Sequence, residues 1–239
     1  METVKKIRKT LEQGGYNETL EALYGAQNVP AQILRYESAL ERYASIYGEG
    51  TAVGVFSVPY ATCFFGNGAE LAGATRLDVV AVTSAGNGVN ITRLRTHGYT
   101  GEDNTDFYQR GPFREEIGFG AAVLRGMLIA FRRAGVLPEG VDIYFTGDAM
   151  PGSGLNEPVT MAAMLAGVYN VLFAGGKFNT LELAQMARWV LTNYCEMPEV
   201  TTAQLVAAIA GGVRAVDFTG GSLQRKSCRQ LALPLHFSQ

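Results

Sequence analysis

Neither sign of charge is in surplus in this sequence: 20 lysines and arginines face 22 aspartates and glutamates, a net of −2 over 239 residues. That balance excludes the basic stripe that nucleic acid or an anionic membrane surface selects. Long apolar runs are missing too, since glycine or charge interrupts each one well short of the ~20 residues a spanning helix needs. Residues 1–9 are charged and hold no apolar segment, so no secretory signal is read there. Cysteine is scarce: Cys63, Cys195 and Cys228 are an odd number without metal-type spacing, as expected of plain thiols in a reducing compartment. The two histidines, His97 and His236, stand far apart with no cysteine or carboxylate pair beside them, which argues against a metal site. The expectation is a cytoplasmic protein with no nucleic-acid or membrane partner.

What is present is a core-forming composition, with 47% apolar and 18% charged residues, enough to bury a substantial interior. No repeat or low-complexity linker divides the chain. It reads as one continuous folding unit, with a helical extension over 1–50 and a main domain over 51–239. After Pro30, which suits a first helical turn, Ile33, Tyr36, Leu40, Tyr43 and Tyr47 step by three and four until Gly48. Val53–Phe56 and Leu77–Val82 are β-branched runs that predict buried strands, and Val89 with Ile91 predicts a half-exposed one. Residues 100–116 read as a polar loop, and Ile117, Ala121, Leu124, Leu128 and Phe131 as a second helical stripe closed by Gly135. A strand at 141–145 leads into a glycine-rich turn and a helix from about Pro158 to Phe173. Asn179 and Glu182 have the spacing of a capping box for a helix ending near Tyr194. Thr201 or Thr202 opens a short Ala-rich helix, and 213–218 is a last strand. Helices and strands mix without strict βαβ alternation, so the class is α+β.

The turn after the 141–145 strand carries the most information. Asp148, then Gly152-Ser153-Gly154-Leu155-Asn156-Glu157, precede a helix N-terminus, where backbone N–H groups and the dipole attract anions. Taken alone the turn is unspecific. Three other segments join it in chain order: Val55-Phe56-Ser57-Val58-Pro59 with Gly66-Asn67; Ala187, Trp189, Asn193, Tyr194 and Pro198; and Gly211-Gly212 with Asp217-Phe218. Together they resemble the first half of a galactokinase, a member of the GHMP sugar-kinase family. The resemblance implies a GHMP-kinase N-terminal domain, a ribosomal-protein-like fold with a left-handed β-α-β unit. It also implies that the family's C-terminal domain is absent.

The same resemblance locates what has been replaced. The family's arginine after Pro-Gly falls at Ala61, and its sugar-binding His-Thr-Asp falls at Gly68-Ala69-Glu70, leaving Asn67 and Glu70 as a sugar-site remnant. The hydroxyl ligand for Mg²⁺ falls at or near Glu157. A carboxylate there opposes phosphate by about 4 kcal/mol at ~4 Å and an effective dielectric near 20, while stabilising the helix N-terminus by roughly 0.3–1 kcal/mol. The catalytic aspartate falls at Ala203 counting from Pro198, or at Gln204 counting back from Gly211; neither is an acid. Phosphoryl transfer rests on positioning and charge stabilisation, so the expected protein has no catalytic residues and no resident cofactor or metal. It is a galactokinase-like pseudokinase that binds a ligand such as a sugar, regulates, or assembles. The alternative is an active galactokinase that uses ATP and Mg²⁺ with Glu157 and Glu70 in new roles. A homodimer or a second polypeptide is expected to cover the face left by the missing domain. Among remaining groups, Cys63 lacks an oriented base. Arg93/Arg95 and Arg132/Arg133 read as solvated faces, His97 as a strand-end residue, and Met161 and Met164 as core filler.

Overall fold

The computed structural model describes residues 1–65, 71–108, 110–118, 120–148, 157–211 and 214–216. In chain order these form β1 (Glu2–Thr3), α1 (Val4–Glu12), α2 (Asn17–Tyr24), α3 (Val29–Tyr47), β2 (Ala52–Phe65), β3 (Leu71–Ser84), β4 (Ile91–Thr96) and β5 (Asp103–Asp106). They continue with α4 (Gly120–Arg133), β6 (Asp142–Gly147), α5 (Glu157–Phe173), α6 (Thr180–Tyr194), α7 (Thr202–Ala210) and β7 (Arg214–Val216). The strands make one sheet in the order β1-β2-β3-β6-β4-β5, with β7 pairing β2. Every pairing is antiparallel except β4 with β6.

Both faces of this sheet are covered, and strand alternation shows how. Phe56, Val58, Tyr60, Val79, Ala81, Ile143 and Phe145 belong to one core, packed under α4–α7. Val53, Val55, Val80, Val82 and Tyr144 point the other way and meet Tyr36, Leu40 and Tyr43 of α3 with residues of α1 and α2. Successive side chains of a strand face opposite ways, so a strand covered on both sides reads as a continuous apolar run. That is why 77–82 carried a strand signal. The helical stripe of residues 33–47 is the face of α3 laid on the sheet.

Local signals matched local structure. Asn179 accepts from the N–H groups of Leu181 and Glu182 while Glu182 answers the Asn179 N–H, a complete capping box. Of the two threonines proposed to open the last helix, Thr201 is the cap, accepting from Gln204 N–H at 3.1 Å. Met161 and Met164 are buried, on a helix α5 that is enclosed over nearly its whole length.

Other expectations need correcting. Residues 100–116 are not all loop, because 103–106 form β5 on β4. An edge strand of polar residues shows no alternation to read. Val89 lies before β4 rather than in it, and α4 begins at Gly120, after Ile117. Strands β2 and β3 run well beyond their apolar stretches because backbone pairing continues past a register shift between Pro59 and Ala61. Arg93 is half-exposed but also paired: it forks onto the buried Asp142 through Nε at 2.7 Å and Nη2 at 2.9 Å. Arg132 is half-buried and donates to the Phe107 carbonyl, whereas Arg133 is exposed, as expected, and lies 4.4 Å over the Trp189 ring.

Helices α4 and α6 touch through Gly126, where an added Cβ would sit 2.5 Å from Val190 Cγ1 and 3.0 Å from Tyr194 Cγ. Helix propensity alone favours alanine over glycine by about 1 kcal/mol. Overpacking at such a contact costs about 1–3 kcal/mol. Gly126→Ala is therefore expected to lower stability in urea denaturation, opposite in sign to propensity; a stabilised variant would show that the helices separate freely there.

Candidate functional site

Two clefts lie on either side of the region marked by the sequence motifs. The smaller, about 320 Å³, is lined by Tyr99, Glu102, Asp103, Gly120, Glu157 and Met161 among others, where the N-termini of α4 and α5 converge. Helix N-termini attract anions, but a carboxylate already occupies that of α4. Asp103 accepts from the backbone N–H groups of Gly120 and Ala121, and burial pushes its carboxyl above the usual range despite those bonds. Glu157 is the first residue of α5. The turn residues Gly152, Ser153, Gly154, Leu155 and Asn156 lie outside the described residues, as do Asn67 and Glu70.

Positions Ala61 and Gln204 meet directly. Ala61 is buried on β2, and Gln204, on the first turn of α7, donates its Nε2 to the Ala61 carbonyl oxygen at 3.0 Å. Of the two registers left open by the sequence, Gln204 is the one whose side chain reaches Ala61; Ala203 is its neighbour on the same turn. An amide donor suits a carbonyl oxygen, whereas a carboxylate in its place would bring two acceptors together. Burial pushes the Cys195 thiol, beside the smaller cleft, up to about 11, leaving it un-ionised at neutral pH. His97 sits at the end of β4 with Nδ1 2.8 Å from the Tyr144 hydroxyl. Cys63 is exposed; Cys228 and His236 fall outside the described residues. Among the described residues no group of three or more His, Cys, Asp or Glu could hold a metal ion.

The larger cleft, about 660 Å³, opens on the α1–α3 side, midway along β2 and β3 and at the end of β6. Alternation brings its charges together: Asp78 follows the parity of Val80 and Val82, and Asp148 that of Tyr144, so both face α3. Asp148 N–H donates to the Asp78 carbonyl at 3.1 Å, which sets the two carboxylates side by side. Arg35 of α3 reaches both, Asp78 Oδ1 at 2.6 Å and Asp148 Oδ2 at 2.8 Å, and also donates to Gln32 Oε1 and to the Asp78 carbonyl. Tyr24 donates to Asp78 Oδ2 at 2.7 Å and lies 2.7 Å from the Tyr36 hydroxyl; Ser57 donates to the same carboxylate oxygen. Burial works against the Arg35 charge, but the two aspartates outweigh it and hold the guanidinium above its usual value. Burial likewise raises Tyr24 and Tyr36, with Asp78 adding to both shifts. The Asp148 carboxyl is pushed up to about 6 by burial, opposed by Arg35 and reinforced by Asp78. Sequence reading noticed Asp148 as a motif match and passed over Arg35 and Asp78. Their one signal is a lone acid immediately before the Val79–Val82 run and a lone cation on the flank of the α3 stripe.

Neither a protein-family model nor a curated protein matches the sequence. Solved structures do match. The crystal structure of Lactococcus lactis galactokinase complexed with galactose aligns with a TM-score of 0.58 at 17% identity, over 71% of this chain and 45% of that one. The Lin0012 protein from Listeria innocua aligns with a TM-score of 0.52 at 12% identity, over 67% of this chain and 47% of that one. The fold is that of the N-terminal half of a GHMP-type kinase. The α+β class and the galactokinase-like architecture expected from the motifs therefore stand. The chain spans about half the length of these relatives. Among the described residues no helix of this GHMP-type scaffold is long and apolar enough to cross a membrane.

Removing the shared cation from the larger cleft leaves Asp78 buried without compensation, a loss typically costing about 3–5 kcal/mol. Arg35→Met is expected to destabilise by that order in chemical denaturation, and a loss under about 1 kcal/mol would mean the aspartates find other support. A second consequence concerns pH. A carboxyl raised to about 6 in the folded state, against about 3.9 unfolded, favours folding below the unfolded value. That contribution is lost as pH rises through about 6. Asp148→Asn should therefore gain stability relative to the parent between about pH 4 and pH 7; a difference constant over that interval would contradict the assignment.

Proposed function

We propose that this chain is a galactokinase-like scaffold without phosphotransferase activity, a pseudokinase that binds a ligand in a reducing, cytoplasmic setting and acts by regulation or assembly. The observation that supports it most is the Gln204–Ala61 hydrogen bond. The resemblance assigns the family's arginine to Ala61 and its aspartate to Ala203 or Gln204, and here the Gln204 amide donates to the Ala61 carbonyl oxygen. Neither the Ala61 methyl group nor the side chain of Ala203 or Gln204 can act as a general base or neutralise a transferring phosphoryl group. The carboxylates at the α4 and α5 N-termini point the same way, since Asp103 takes donors that an anion would otherwise use and Glu157 adds negative charge at the second terminus. A sugar-like ligand, and a second copy or another polypeptide on the face that the resemblance assigns to the absent C-terminal domain, complete the reading.

The decisive experiment pairs a phosphoryl-transfer assay with thermal shift, using galactose, ATP–Mg²⁺ and both together. The expected result is no sugar-dependent ADP formation and no shift with ATP–Mg²⁺. Galactose alone is expected to stabilise, by about 2.7 kcal/mol at 100 times its dissociation constant. Sugar-dependent turnover that Glu157→Gln abolishes would overturn the proposal in favour of an active kinase with a substituted site.

A further inference from the structure

We propose that the cleft at Arg35, Asp78 and Asp148 is a binding site for a small organic cation, a primary ammonium on a short aliphatic chain. The charge balance motivates it. Among the described residues two carboxylates share one guanidinium, so one negative charge remains when both acids are ionised. Asp78 is saturated by Arg35, Tyr24 and Ser57. Asp148 is not enclosed to that degree: its side chain is 26% exposed and lines the cleft. An anion finds little here, because Arg35 already donates to both aspartates, to Gln32 and to a backbone carbonyl.

The remaining wall suits an ammonium with a methylene tail. Asn28 donates its Nδ2 to the Tyr24 carbonyl, which leaves the amide oxygen as its acceptor, and Gln27 supplies a second amide at the rim. Leu23, Pro59 and Leu77 form an apolar side against which methylene groups can lie. Among the described residues the charged groups acting on Asp148 are Arg35 from α3 and Asp78 from β3, while Tyr24 from α2 and Tyr36 from α3 act on Asp78. Both tyrosines stay neutral and Arg35 stays charged, so Asp148 is the group that changes state near neutrality. Asp148 and Asp78 are close enough to share a proton. A bound ammonium takes that proton's place, supplying donors and the missing positive charge together. This cleft lies on the α1–α3 side of the sheet, whereas Ala61 belongs to the core under α4–α7. Ser57, Pro59, Asp148 and Gly211, all within the motif segments, nonetheless line it, so the site borders the one the resemblance marks, and binding of the diamine is read separately from galactose and ATP–Mg²⁺.

The test is isothermal titration of the full chain with 1,4-diaminobutane, its neutral counterpart 1,4-butanediol, and inorganic phosphate. The expected result is saturable binding of the diamine alone, with proton release near pH 6. Affinity should fall about tenfold per pH unit below the Asp148 value. Asp148→Asn, nearly isosteric, should weaken the diamine at least tenfold. Leu77→Lys, at an exposed position on the rim, provides a second variant that should weaken it by repulsion without touching the charged cluster. Equal binding of diol and diamine, no diamine binding at millimolar concentration, or unchanged affinity in both variants would overturn the proposal.

Discussion

A central pair of strands that must be buried on both faces constrains everything else in this molecule. Strands β2 and β3 send Phe56, Val58, Val79 and Ala81 into one core and Val55, Val80 and Val82 into the other. Neither set can be left to water, so α1–α3 and α4–α7 are both structural requirements. The N-terminal helices that read as an extension form a layer of their own: Ile7, Leu11, Leu20, Tyr36 and Tyr43 are all buried. Alternation past the end of that apolar run has a consequence for chemistry. It carries Asp78 and Asp148 onto the α3 face, where burial is costly without a cation, and Arg35 supplies it.

The two sides of the sheet have diverged in character. Toward α4–α7 the polar groups serve packing and capping. Gln204 ties α7 to β2, Asp103 closes the α4 terminus, and Arg125 is buried in a bidentate pair with Glu116. Each interaction satisfies a backbone or buried group internally, which stabilises the scaffold and removes the donors a substrate anion would use. Toward α1–α3 the polar groups are concentrated instead around one open cleft, with a carboxylate whose charge is only partly balanced.

How much of this could be read from the residues depends on the range of each signal. The helix on 158–173, the stripe on 33–47 and the Asn179–Glu182 cap were legible because propensity, periodicity and capping act within a few residues. The edge strand β5, the extended ends of β2 and β3, and the Arg93–Asp142 fork were not. In those places backbone pairing or a distant charge outweighs local pattern. The motif order anticipated the architecture, since ordered matches survive even when individual side chains are replaced.

Composition, period and caps by themselves determined the α+β class and the principal helices. Only the tertiary structure decided that Gln204 rather than Ala203 meets Ala61, and that Arg35, Asp78 and Asp148 form one cluster. The reason is physical. A side chain's partner is chosen by which strands and helices pack together, and residues far apart in the chain carry no local trace of that choice. The polarity of Asp78 is visible in one dimension, but the guanidinium that makes its burial tolerable is found only in three.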